Sequence, residues 1–169
     1  DWINGNYSTR QIKHLKIEDL LGRDSIELNN PIVENELENK TILISGAAGS
    51  IGSEIARQVA RKNFKKLILL DIAESALYDV EQSMVSNKKN DIEYIIGNVR
   101  DFDRMKNIFE LHKPDYIYHA AAYKHVPLME KYPYEAVNTN VRGTKIMADL
   151  SHEYNVEKFV MVSTDKAVN

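Results

Sequence analysis

The sequence contains no cysteine. That excludes disulfides, a thiolate nucleophile and a cysteine-based zinc site, and it fits a reducing, cytoplasmic compartment. Its five histidines show no metal-ligand spacing, so no metal is expected. No apolar run approaches the ~18 residues of a membrane span, and no signal-peptide pattern is visible. One-sided charge is also missing. A formal net charge of −3 gives no reason to expect nucleic acid or an anionic membrane as partner. What remains is 43% hydrophobic and 28% charged, an ordinary globular balance, and 169 residues suit one domain with an extra arm. The chain opens on Asp1 and closes inside a pattern, so it reads as a piece of a longer protein. No internal repeat or low-complexity stretch is visible.

The organising stretch is Thr41 to Ile55. A short apolar run leads into Gly46, Gly49 and Gly52, and Ile51, Ile55 and Val59 then recur at steps of four. Strand, glycine turn and helix form the context in which glycines bind a dinucleotide. The first glycine turns the chain out of the strand. The second lets backbone approach a pyrophosphate, and the third lets the helix pack on the strand. Ser50 and Ile51 open the helix, whose free N–H groups suit phosphate.

From Lys40 onward apolar strands alternate with helical patterns. Strands are expected at 41–45, 67–70, 91–96, 116–119 and 158–162. Helices are expected at 50–62, 75–85, from the Asp101 cap, and as one long helix over 134–154. Such alternation predicts an α/β fold, a Rossmann-like doubly wound parallel sheet in the order 3-2-1-4-5, stopping after the fifth strand. Residues 40–169 would form the cofactor-binding domain, with its substrate half lying beyond the segment. Residues 1–39 read as an arm or linker, or as a disordered leader. A short helix is hinted at by Ile12 to Leu21, and Asn29-Asn30-Pro31 is expected to break any helix.

In such sheets ligands bind beyond the carboxyl ends of the strands where strand order reverses, so residues that follow strands are the candidates. Asp71, 19 positions past Gly52, suits the adenosine ribose hydroxyls and repels a 2′-phosphate, favouring NAD over NADP. Its alternative role is a helix cap. Asn98, with Val99 beside it, could touch the adenine edge or serve as a turn residue. Ala120, Ala121 and Ala122 let backbone run close to a cofactor. Lys124 and His125 then face the crevice mouth as substrate contacts, or are simply solvated. Gly143 within the long helix implies close packing against a neighbouring strand, and Asn140 could bond backbone or water near the cofactor. After strand five, Ser163-Thr164-Asp165-Lys166 offers a hydroxyl, an acid and an amine, or else forms a turn or helix cap. Tyr154 and Lys158 have Tyr-x-x-x-Lys spacing but precede this strand end.

The strings T-I-L-I-S-G-A-A-G-S-I-G-S-E-I, A-A-A-Y-K-H-V-P-L-M-E, N-T-N-V-R-G-T and V-S-T-D-K-A-V-N, in this order, resemble the extended short-chain dehydrogenase/reductases. More narrowly they are similar to the polysaccharide-biosynthesis nucleotide-sugar 4,6-dehydratases of the CapD, WbpM and PglF type. The resemblance covers about residues 40–169. Ile17-Glu-Asp-Leu-Leu-Gly22-Arg23-Asp24 is similar to the segment preceding the catalytic domain in large membrane-bound members, which places the parent on the cytoplasmic face of the inner membrane. The resemblance implies bound NAD, a UDP-N-acetylglucosamine-type substrate, a 4-keto-6-deoxy product and a homo-oligomer. Ser163 and Asn140 fall among the implied cofactor contacts. Thr164 would hold the sugar's 4-oxygen, Asp165 would be the acid at O6, and Lys166 the base at C5. The family's Tyr or Met partner pair is expected beyond Asn169, which would leave the isolated segment inactive. Asn98 stands where the family usually has aspartate.

Overall fold

The computed structural model describes residues 31–84 and 91–163. Five parallel strands lie in the order β3-β2-β1-β4-β5: β1 (Thr41–Ser45), β2 (Lys66–Asp71), β3 (Ile92–Ile96), β4 (Tyr116–His119) and β5 (Lys158–Met161). This is the doubly wound α/β order expected from the sequence. Register runs Ile42↔Leu67, Ile42↔Tyr116 and Tyr116↔Lys158, so the strands end nearly level along one rim of the sheet.

Both faces of the central strands are covered, which is why β1 and β2 are unbroken apolar runs rather than alternating ones. Ile42, Ile44, Leu67 and Leu69 face one core, where Ala56 and Val59 of α2 (Ser50–Ala60) and Leu77 and Val80 of α3 (Glu74–Met84) meet them. Leu43, Ile68, Leu70 and Ile117 face the other, filled by Met105 and Phe109 of α4 (Phe102–His112) and Met147 and Leu150 of α7 (Thr144–Glu153). Each such Leu or Ile, fully buried, contributes about 1.5–3 kcal/mol. Asp101 caps α4 as expected, accepting from the Arg104 N–H at 3.0 Å.

Several features differ from the sequence expectation. Pro31 opens a helix, α1 (Pro31–Leu37), at the first-turn position where its missing N–H costs nothing, while the helix it was expected to break lies outside the described residues. Leu37, 2% exposed, joins the first core, so this stretch packs with the sheet. A short helix α5 (Val126–Lys131) follows the β4 loop, and α3 starts at Glu74 after Ala73 rather than being capped by Asp71. The long helix is not uniform. α6 (Pro133–Ala136) passes into a π-helical segment, Val137–Gly143, before α7. Gly143 does pack closely, but against the loop after β3 rather than a strand: a Cβ there would lie 2.8 Å from Val99 Cγ2.

Candidate functional site

The rim where β1 and β4 diverge toward opposite neighbours carries a cleft of about 310 Å³. Its floor is the glycine turn. Gly46 has φ +72°, a left-handed backbone that side chains resist, and a Cβ there would strike Ala120 C and Ala121 N at 2.6 Å. At Gly52 a Cβ would lie 2.0 Å from the Gly46 carbonyl oxygen, so helix α2 can rest on the turn only without a side chain. The Ser53 N–H closes the first helical bond, onto Gly49 O at 2.8 Å. The N–H groups of Ser50, Ile51 and Gly52 therefore have no acceptor one helical turn earlier, and the helix dipole adds positive potential there.

Asp71 ends β2 and fixes the turn from the side. Its Oδ2 accepts from the Ala48 N–H and its Oδ1 from the Ala73 N–H, both at 2.9 Å. The carboxylate thus holds the glycine turn to the neighbouring strand end while keeping lone pairs for hydroxyl donors. Gly97 N–H donates to Asp71 O at 2.9 Å, which sets Asn98 beside it on the same wall. Val99, 5% exposed, closes this end beneath Gly143.

The opposite wall is the loop after β4, Ala120 to Tyr123. Asn140, in the π-helical segment, grips this loop from behind. Its Oδ1 accepts from the Tyr123 N–H and its Nδ2 donates to Tyr123 O, both at 2.8 Å. The neighbouring Thr139, 9% exposed, lines the cleft, and its Oγ1 is buried without a hydrogen-bond partner. Behind the loop, His119 is 2% exposed and joins Ser45 Oγ (2.6 Å from Nδ1) to Thr144 Oγ1 (2.9 Å from Nε2). Burial pushes its imidazole down to about 4, so it is neutral at pH 7.

Residues 42–169 match the family described as "Polysaccharide biosynthesis protein". The chain belongs to that family. It is 46% identical over its whole length to the capsular polysaccharide biosynthesis protein CapD of Staphylococcus aureus, of which it covers 28%. Over 77% of its length it is 37% identical to a UDP-N-acetylglucosamine 4,6-dehydratase (inverting) of Campylobacter jejuni, of which it covers 38%. The chain therefore spans well under half of these relatives. Among solved structures it is similar to Pen from Bacillus thuringiensis, with TM-score 0.72 and 31% identity over 79% of this chain and 40% of that one. It is also similar to a UDP-glucose 4-epimerase from Bifidobacterium longum in complex with NAD⁺ and UDP, with TM-score 0.64 and 26% identity over 74% of this chain and 37% of that one.

Of the site residues named from sequence, the cleft brings together Gly46, Gly49, Asp71, Asn98, Val99, Ala120, Ala121 and Ala122. Ser50, Ile51 and Gly52 form the helix start behind the turn, and Asn140 bonds the loop backbone rather than lining the cleft. Lys124 and His125 are exposed on the way into α5, away from the lining, and Ser163 is exposed just past β5. Thr164, Asp165 and Lys166 lie outside the described residues, as does the arm over 1–30. Tyr154 donates from its hydroxyl to Glu110 Oε1 at 3.0 Å, and Lys158 pairs with Glu36 at 2.6 Å, so the two are engaged elsewhere. Among the described residues, no acidic or histidine cluster could hold a metal and no helix is long and apolar enough to cross a membrane.

Sequence reasoning passed over Thr139, Tyr123 and the Ser45–His119–Thr144 chain. Thr139 sits in a string already noted for its asparagines, and in the π-helical segment it lines the cleft. The lining suits a dinucleotide: backbone N–H groups for phosphate, a carboxylate for ribose hydroxyls, small residues for close approach and an unpaired buried hydroxyl.

Proposed function

We propose that this chain is the NAD-binding part of a nucleotide-sugar 4,6-dehydratase of polysaccharide or glycan biosynthesis, acting on a UDP-N-acetylglucosamine-type substrate. One observation carries the reading. The turn at Gly46 and the carboxylate of Asp71 are tied by the Ala48 N–H bond into one cleft wall, opposite the small-residue loop held by Asn140. NAD, when bound, supplies reversible hydride transfer at the sugar. Ser50, Ile51 and Gly52 would hold the pyrophosphate through backbone N–H groups. Asp71 would accept from the ribose hydroxyls and disfavour the 2′-phosphate of NADP. Thr139 Oγ1 would find its missing partner on the cofactor's ribose-pyrophosphate spine.

The chemistry past β5 rests on the family resemblance. Lys166 would take the C5 proton, Asp165 would protonate the departing C6 hydroxyl, and Thr164 would hold the 4-oxygen. The exposed Leu128, Val137 and Val141, at 52%, 56% and 62%, support a homo-oligomer as the working form. The likeness to UDP-glucose 4-epimerases supports a second reading, a sugar 4-epimerase on the same cofactor half. A non-catalytic NAD-sensing module is the third.

Incubating the full-length protein with UDP-N-acetylglucosamine and following the product by NMR separates these readings. A 4-keto-6-deoxy product is expected, and Asp165→Asn or Lys166→Ala should reduce its formation about 10²–10⁴-fold with NAD affinity nearly unchanged. A 4-epimer would establish the epimerase reading. An unchanged sugar with intact NAD binding would leave the sensing module.

A further inference from the structure

The helical stretch from α6 to α7 is anchored unequally at its two ends. α7 buries Ile146, Met147 and Leu150 in the second core. α6 and the preceding α5 bury no residue. A segment without buried apolar contacts opens at low free-energy cost unless something else ties it down. At α6 the tie is electrostatic. Arg100 Nη1 donates to Glu135 Oε2 at 2.5 Å, and both side chains are partly exposed. Arg100 is itself held, because its Nε and its backbone N–H both donate to Asn98 Oδ1, at 3.3 and 3.0 Å. These bonds restrict the guanidinium to few rotamers, which lowers the entropy cost of pairing with Glu135.

The pair joins two walls of the cleft. Asn98 and Val99 line it from the turn after β3, and Thr139 lines it from the helical stretch. The same turn and stretch touch at a second point, where Val99 packs on Gly143. Gly143 lies eight residues after Glu135, about two helical turns or ~12 Å along the axis. The Val99–Gly143 contact is apolar and adjoins the anchored α7, so it stays shut. The Arg100–Glu135 contact is partly solvated and lies on the unanchored end, so it can part without exposing core. The first contact acts as a hinge and the second as a catch.

We propose that the Arg100–Glu135 pair is a catch that sets how long a dinucleotide stays in the cleft, by holding α6 against the turn after β3. The proposal rests on the cofactor reading above and adds a kinetic rule to it. Parting the pair quickens the dinucleotide's departure and does not slow its entry. Neither residue needs to touch the ligand for this; both act through the position of the walls.

The test loads the full-length protein with NADH, displaces it with excess NAD and follows the bound fluorescence by stopped flow. Glu135→Ala removes the catch, leaves Arg100 on Asn98 and touches no core residue. Release should quicken about three- to tenfold, the range for losing a partly exposed charge-assisted bond, and association should not slow. Raising salt from about 0.1 to about 1 M screens exposed pairs, so it should quicken release more in wild type than in Glu135→Ala. Thermal unfolding without cofactor should be the same for both proteins. Equal release rates would overturn the proposal, as would slower association in the variant or an equal response to salt. Faster release accompanied by a matching loss of thermal stability would also overturn it, since the pair would then merely hold the fold. Wild type that binds no NADH would overturn the cofactor reading, and the proposal with it. NADH bound and released at the same rate by both proteins would overturn the proposal alone.

Discussion

His119 makes the stability of this domain dependent on mild acid. The ring is buried between β1, β4 and α7, stacks on Phe159 at 5.9 Å, and has two hydroxyls but no carboxylate as hydrogen-bond partners. Burial alone lowers it from 6.5 to about 4. Between those values the unfolded chain binds a proton that the folded chain does not. Stability contributed by the neutral ring is therefore full above pH 6.5 and is lost as pH falls toward 4. The whole shift amounts to about 3 kcal/mol, and the part lost between pH 7 and pH 5 to about 2 kcal/mol. Denaturant unfolding of wild type and His119→Gln at the two pH values isolates this effect, since every other titrating group is common to both. The variant should be less stable at pH 7 by about 1–3 kcal/mol, because Ser45 and Thr144 lose their partner. From pH 7 to 5 it should then lose about 2 kcal/mol less than wild type does. Equal losses in the two proteins, or an imidazole NMR titration near 6.5 in the folded state, would refute the argument.

Two other perturbations probe the cleft. Gly52→Ala places a Cβ 2.0 Å from Gly46 O, so the turn must move. Thermal unfolding should report a loss of about 1–3 kcal/mol, and calorimetry more than a tenfold loss of NAD affinity. An unperturbed variant would show that α2 does not sit on the turn. Asn140→Ala removes both bonds to the Tyr123 backbone and should weaken NAD binding about three- to tenfold. Affinity equal to wild type would mean the loop keeps its shape without the grip.

The fold was legible because its signal is coarse and repeated. Leu67 to Leu70 can be an unbroken apolar run only if both faces of the strand are covered, and strand–helix alternation then leaves few topologies. The glycine spacing was legible for a sharper reason: Gly46 and Gly52 answer steric demands that no other residue meets. The π-helical segment was not legible, since Asn138 to Gly143 has nothing in its composition that α-helix forbids. Its residues Gly143 and Asn140 meet Val99 and Tyr123, about 15 to 45 positions away in sequence. Thr139 was missed with it. The helix that Pro31 opens was passed over because proline both ends and begins helices, and its apolar anchor into the core is the single Leu37.

The π-helical segment also solves a problem of rotational phase. Thr139, Gly143, Met147 and Ser151 are all buried and recur at steps of four. An α-helix advances about 100° per residue, so each step of four over-rotates by about 40°, and three steps would swing the stripe through about 120°. A straight α-helix that faced Met147 to the sheet would leave Thr139, eight residues earlier, about 80° round from it. Wider turns over Val137–Gly143 absorb part of that drift, so one continuous rod serves two customers at different angles: the core through its lower half, the ligand loop through its upper. The rod behaves as a shaft with a built-in twist. Removing a single residue between Val137 and Gly143 would leave α7 seated and rotate the upper half out of register with Tyr123.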